Sequence, residues 1–221
     1  TQLWVRSYNG PGNSIDQARA IVVDGSGDVY VTGASYFAAG NDDYVTLKYS
    51  TNGTLDWTRN YNGPGNVTDE AFDIALDANG NVFVTGGSGG GATGEDYATV
   101  KYDTATGVQQ AVIRYTFSGA NLDRAQSIFI DNTGNVYVTG FSYGGAALNM
   151  DYATLKYTNA LVAIWGTASR YNGTGSRIDQ ATQVKVNNSN GDVYVSGYSN
   201  NTYILDDDLT TIKYNSAGAQ Q

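Results

Sequence analysis

Most of the 21 acidic residues of this 221-residue chain recur at matched places. Carboxylates are the side chains best equipped here to move protons or hold a cation. Asp16, Asp69, Asp123 and Asp179 each open an Asp-x-Ala run, in "DQARAIVVD", "DEAFDIALD", "DRAQSIFID" and "DQATQVKVN". Asp43, Asp96, Asp151 and Asp208 stand one residue before "YVTLKY", "YATVKY", "YATLKY" and "LTTIKY". Asp24, Asp77 and Asp131, with Asp28 and Asp192, fall in Gly-containing turns, where an Asx-turn onto the local backbone is the simplest role. Their spacing approximates a calcium loop, but the bidentate Glu of such a loop is missing. The adjacent carboxylates Asp42–Asp43 and Asp206–Asp208 could serve as a glycosidase-like acid and base, although nothing else in the chain points there. A second set is aromatic. Tyr36, Phe37, Tyr143, Tyr198 and Tyr203 lie in longer loops beside Asn and Asp, a chemistry suited to stacking on sugars or packing into a neighbouring subunit.

Composition narrows what these groups can do. There is no Cys, so neither disulfides nor thiolate chemistry exist. There is no His, which removes the commonest general base and the usual catalytic zinc ligand. Both absences argue against an enzyme. A net charge of -9 opposes phosphate backbones and anionic membrane surfaces, so nucleic acid is not an expected partner. No run of 18 apolar residues favours membrane insertion, and "TQLWVRSYNG" has no signal-peptide pattern, so the chain reads as soluble and already processed. With 28 Gly, 18 Tyr and only 15% charged residues, it has the composition of a secreted surface protein. "GGSGGGATG" at residues 86–94 imitates a phosphate-cradling loop, but no helix follows it; a flexible loop is expected instead.

The elements that position these residues repeat. "YNGPGN" occurs at residues 8–13 and again at 61–66, and Tyr8, Tyr61, Tyr115 and Tyr171 mark a period near fifty residues. Each copy holds an inner strand after the Asp-x-Ala opening, with Ile21, Ile74, Ile128 and Val184 in register. A turn follows ("DGSGD", "DANGN", "DNTGN", "NSNGD"), then a second strand ("DVYVTG", "NVFVTG", "NVYVTG", "DVYVSG") and a third ending in "KY". The fourth strand, "LDWTRNY", is echoed by "LWVRSY" and more loosely by "AVIRY" and "WGTASRY". Four strands per copy, apolar on both faces, predict an all-β propeller with blades at about 9–61, 62–115, 116–171 and 172–214 in one domain spanning 1–221. "YNGPGN" is then the crossover from an outer strand to the next inner strand. The last copy lacks its own outer strand, so residues 3–8 are expected to complete it. Within one molecule that gives a closed four-bladed ring; between molecules it gives an eight-bladed dimer or an open polymer.

The run "DxxGNVYVTGxS", then "DYxTxKY", then "GxxxWxxxYNG" closely resembles the SBBP-type bacterial β-propeller repeat across residues 3–214. That family implies seven blades, from which four copies depart. The strand openings at Asp16, Asp69, Asp123 and Asp179 resemble those of hemopexin-like four-bladed propellers. That second resemblance implies one channel cation such as Ca2+, held by these carboxylates or by backbone carbonyls; the plainer role is to cap the crossover. No cofactor is otherwise required. The expectation is a non-catalytic extracellular or cell-surface building block whose partner is itself, as an oligomer or filament. The alternative is a propeller module that binds a glycan or a surface protein.

Overall fold

The computed structural model describes residues 3–37, 41–119, 121–144, 149–175, 177–200 and 207–221. The four sequence copies fold as four antiparallel units, each running in chain order across its sheet. The first contains β1 (Asp16–Val23), β2 (Val29–Phe37), β3 (Asn41–Tyr49) and β4 (Leu55–Tyr61). The second contains β5 (Asp69–Leu76), β6 (Asn81–Gly89), β7 (Gly94–Asp103) and β8 (Gln109–Tyr115). The third contains β9 (Asn121–Ile130), β10 (Val136–Tyr143), β11 (Met150–Tyr157) and the short β12 (Ser169–Tyr171). The fourth contains β13 (Asp179–Val186), β14 (Val193–Asn200) and β15 (Asp207–Tyr214). A short parallel pairing, Gly94 with Asn121 and Glu95 with Leu122, joins the second and third units, so the units form three sheets, none closed into a barrel.

Local chemistry explains the repetition. In the β1–β2 turn the Asp24 carboxylate accepts from the amides of Ser26 and Asp28 at 2.8 and 3.0 Å, and Asp77 and Asp131 do the same in their own turns. Across the second and third strands Tyr30, Phe83, Tyr137 and Tyr194 lie opposite Lys48, Lys101, Lys156 and Lys213. Each ammonium sits 5.1–6.0 Å from the facing ring, which ties the recurrent "VYVTG" to the recurrent "KY". The crossovers at 8–13 and 61–66 superpose in their bonding. Asn13 and Asn66 have φ of 50° and 48°, and their amides return to Gly10 and Gly63 at 3.1 Å.

The core lies between units. Tyr30, Tyr44 and Trp57 of the first pack on Ile74, Val82, Val84 and Tyr102 of the second. Phe83 and Tyr97 pack on Ile128, Val136 and Leu155 of the third. Tyr137, Tyr152 and Trp165 pack on Val184, Val195 and Tyr214 of the fourth. A fourth cluster, Val45, Leu47 and Tyr49, belongs to the first unit alone and is joined only by partly buried Tyr8, Val29 and Val31. The units therefore stand in a row with three filled interfaces and one half-built one.

Two expectations are corrected. Residues 3–8 form no strand and lie against the first unit instead of completing the fourth, and among the described strands none of the first unit packs extensively on one of the fourth. Among the described residues no strand pairing closes the four units into a ring, and the N-terminal segment is held by the unit that follows it. The glycine run is also not a loop throughout: Gly86–Gly89 belong to buried β6. Neighbours occupy the space their side chains would need, since a Cβ on Gly87 or Gly89 would overlap Glu95 or Val67.

Candidate functional site

The strand-opening aspartates sit at the start of β1, β5, β9 and β13, and each caps the crossover that leads into its own strand. Asp16 accepts from the Gly10 amide at 2.9 Å and Asp69 from the Gly63 amide at 2.7 Å. Asp123 accepts from the Phe117 amide at 3.0 Å and Asp179 from the Gly173 amide at 2.6 Å. The second oxygen of Asp69 takes the Gly89 amide and that of Asp123 the Tyr143 amide, at 2.9 and 3.1 Å. This close approach requires glycine at the crossover: a Cβ on Gly63 would overlap the Ser88 hydroxyl and come within 2.7 Å of Asp69. Asp69, Asp123 and Asp179 are fully buried, and burial raises the carboxyls of Asp69 and Asp179 above their ordinary value. Each accepts a backbone amide of its own crossover through one carboxylate oxygen. Among the described residues no group of three or more acidic, His or Cys side chains is placed to hold a metal ion.

Beside Asp69 and Asp123 a larger polar node forms, and its key member carries no signature in the acidic pattern. Arg114 donates to Asp96 at 2.9 Å, to the Ser88 carbonyl at 2.7 Å and to the Tyr61 hydroxyl at 3.1 Å. Arg170 repeats this with Asp151 at 2.8 Å, the Ser142 carbonyl at 3.0 Å and the Tyr115 hydroxyl at 3.3 Å. These arginines immediately precede the marker tyrosines Tyr115 and Tyr171; the same slot holds Ser7 and Asn60 before Tyr8 and Tyr61. Comparing that one column would have found the node.

The first unit lacks the arginine. With Asn60 in its slot, Asp43 is 3% exposed and no cation among the described residues pairs with it; Asn60 is the facing hydrogen-bonding group. Burial foremost, then the Asp69 carboxylate, push its carboxyl from 3.8 up to about 6. The folded state therefore holds this proton more tightly than the unfolded chain. The resulting stability is present in full below about pH 4 and is lost as pH rises through about 6. Asp43→Asn is expected to raise the urea midpoint at pH 7.5 by an amount worth about 1–3 kcal/mol and to change it little at pH 4. Asn60→Arg is expected to reproduce the gain at pH 7.5 by supplying the missing partner. Equal effects of Asp43→Asn at both pH values would contradict the assignment.

The aromatic residues do not share one position. Tyr36, next to last in β2, lies against its crossover, its amide donating to Ile15 and its carbonyl accepting from Gly12, both at 3.1 Å, and half-buried Phe37 ends the strand. Tyr143 holds the equivalent place at the end of β10 and is also half-buried. Tyr198 stands two places earlier in register, where the third unit has buried Phe141. It lines an open groove of about 490 Å³ on the fourth unit with Thr182, Ser196, Asp207 and Leu209. Tyr203 and Asp206 lie outside the described residues. A second groove, of about 310 Å³, lies on the first unit between residues 4–8 and Ile21, Val29, Val31, Val45 and Leu47. The two grooves mark the two ends of the row.

No family model matches the chain, and no curated protein matches it; the SBBP-type resemblance stands on its repeated motifs alone. Among solved structures the chain is similar to an endo-arabinase from Bacteroides thetaiotaomicron VPI-5482. The two share 13% identity at a TM-score of 0.50, over 98% of this chain and 83% of that one. A eukaryotic initiation factor is more distant, with 11% identity and a TM-score of 0.39 over 94% of this chain and 55% of that one. At this distance the arabinase shares the fold and nothing finer: an all-β chain with a propeller-like relative.

Proposed function

We propose that this chain is a secreted, non-catalytic propeller-type module of the SBBP kind, and that its work is structural: it self-associates through its ends into an extracellular or surface assembly. One observation carries the reading. At a single repeat position Ile74, Ile128 and Val184 are 6%, 4% and 0% exposed because the preceding unit covers them, whereas Ile21 is 66% exposed. The first unit leaves exposed the position that a preceding unit covers in the other three, and exposed apolar faces of this kind favour a partner.

Light scattering on the 221-residue chain is the test. Wild-type protein is expected at the mass of two chains or more. Ile21→Asp is expected at the mass of one chain, with unchanged circular dichroism and a stability loss within about 0.5 kcal/mol in the single-chain state. A wild-type chain that stays single at all concentrations would overturn the reading. The likeness to a protein titled an endo-arabinase favours one second reading, a glycan-binding module. Its candidate contact is Tyr198 with Ser196 and Asp207 in the fourth-unit groove. Single-chain wild-type protein that is retained on a glycan array, with retention abolished by Tyr198→Ala, would shift the weight there.

A further inference from the structure

We propose that the junction of the second and third units carries a binding pocket for a small aromatic carboxylate, built by two departures from the repeat that meet at one place. The proposal goes beyond self-association and does not depend on it.

The first departure is in an outer strand. In the first unit Thr58 alone lies opposite Leu47, between Trp57 opposite Lys48 and Arg59 opposite Thr46. In the second unit Val112 alone lies opposite Val100. In the third unit Ser169 faces Thr154, while the Trp165 amide donates to the Lys156 carbonyl at 3.4 Å. Gly166, Thr167 and Ala168 therefore all stand opposite Leu155. "WGTASRY" is two residues longer than "WTRNY", and the surplus bulges away from β11. Among the described residues the amides of Gly166, Thr167 and Ala168 make no hydrogen bond, and a Cβ on Gly166 would meet nothing within 4 Å.

The second departure is in the crossover before the third unit. Phe117 gives its amide to the capping Asp123, as Gly10, Gly63 and Gly173 give theirs to Asp16, Asp69 and Asp179. An aromatic ring thus stands where the other three crossovers have glycine. Phe117 is 47% exposed, and the Arg170 guanidinium lies over its ring at 3.9 Å.

Both departures line one cavity of about 300 Å³. Ile113 of β8 and buried Leu155, Tyr157 and Trp165 give it apolar walls. Its volume is at the small end of ligand pockets and suits one or two fused rings.

The unused polar atoms set the sign of the ligand. Arg114 and Arg170 line the cavity with side chains only 21% and 18% exposed. Their terminal nitrogens are taken by Asp96 and Asp151, by Tyr61 and Tyr115 and by the Ser88 and Ser142 carbonyls. Among the described residues the Nε of each makes no hydrogen bond, and neither does the hydroxyl of Tyr157, a residue 3% exposed. No carboxylate is among the described residues that line the cavity. Unpaired donors between aromatic walls call for an acceptor on a flat apolar body, and charge on that acceptor strengthens each bond. Arginine suits this twice, by its in-plane donors and by stacking on rings.

Equilibrium dialysis of the 221-residue chain against 2-naphthoate is the test. One site per chain of submillimolar affinity is expected. The uncharged 2-naphthamide, of nearly the same shape, is expected to bind about tenfold more weakly. Tyr157→Phe, which removes only the hydroxyl, is expected to weaken naphthoate binding several-fold. Deleting Gly166 and Thr167 restores the strand length of the first unit and is expected to abolish binding with unchanged circular dichroism. No retention of naphthoate by the wild-type chain would overturn the proposal. Undiminished binding to the folded deletion variant would overturn it as well, by placing the ligand elsewhere. Equal affinity for naphthoate and naphthamide would overturn the carboxylate. Should the deletion variant not fold, Tyr157→Phe decides, and unchanged affinity there would overturn the site.

Discussion

Replacing Tyr97 by Ala is expected to lower the free energy of unfolding by about 3–5 kcal/mol, a large share of what a domain possesses. Tyr97 is 1% exposed and fills the interface between the second and third units. Its ring stands edge-on to Tyr115 at 5.4 Å, and its hydroxyl donates to the Ala153 carbonyl at 3.0 Å. Truncation leaves a cavity that two rigid sheets cannot close and removes the shorter of two side-chain hydrogen bonds to the Ala153 carbonyl, leaving that from Thr139. Leu209 occupies the same repeat position in the fourth unit but is 85% exposed. With association blocked by Ile21→Asp, Leu209→Ala is expected to cost within about 0.5 kcal/mol. Urea unfolding of both variants provides the comparison. Similar losses at the two positions would mean that the fourth unit's face is covered within the single chain, contrary to the open row.

Arg114→Met is expected to cost about 3–5 kcal/mol by the same measurement, because it leaves the Asp96 carboxylate buried without its cation. The Asp96 side chain is only 4% exposed, and Thr93 would remain as its side-chain donor at 2.7 Å. The substitution also removes the tie between Tyr61 and Ser88, which lie on either side of the crossover into the second unit. Adding Asp96→Asn to Arg114→Met should recover part of the loss, since an amide tolerates burial better than an unpaired carboxylate. If the double variant is no more stable than Arg114→Met alone, the cost lies in lost packing of the arginine stem and not in the stranded charge.

The four repeats, their antiparallel order, the Asx turns and the two "YNGPGN" crossovers are all legible in the chain without coordinates. Each depends on residues close in sequence. Asn13 and Asn66 adopt a left-handed backbone six residues after a fixed outer-strand pattern begins its exit, and Asp24 bonds amides two and four residues on. The polar nodes were legible only in part. The capping of Gly63 by Asp69 spans six residues, but the pairing of Arg114 with Asp96 and Tyr61 spans 18 and 53 residues. Such pairings are set by which strand lies beside which, so the arginines carry no local signal, whereas the aspartates do. The aromatic residues were grouped by loop, yet register places Tyr198 at the position of Phe141 and not at that of Tyr143.

By itself, then, the sequence determined the strands, turns and crossovers of this protein, because alternation, β-branching, Gly and Asx chemistry act over a few residues of backbone. The tertiary structure alone decided how the units meet. Gly86–Gly89 became a buried strand because Val67 and Glu95 fill the space above them. Asp43 was left without a cation because the slot facing it holds Asn60. Residues 3–8 lie on the first unit because Trp4 and Arg6 find their carbonyl partners at Thr51 and Gly53. Which unit holds a segment depends on the positions of surfaces far apart in the chain, which local propensity cannot encode.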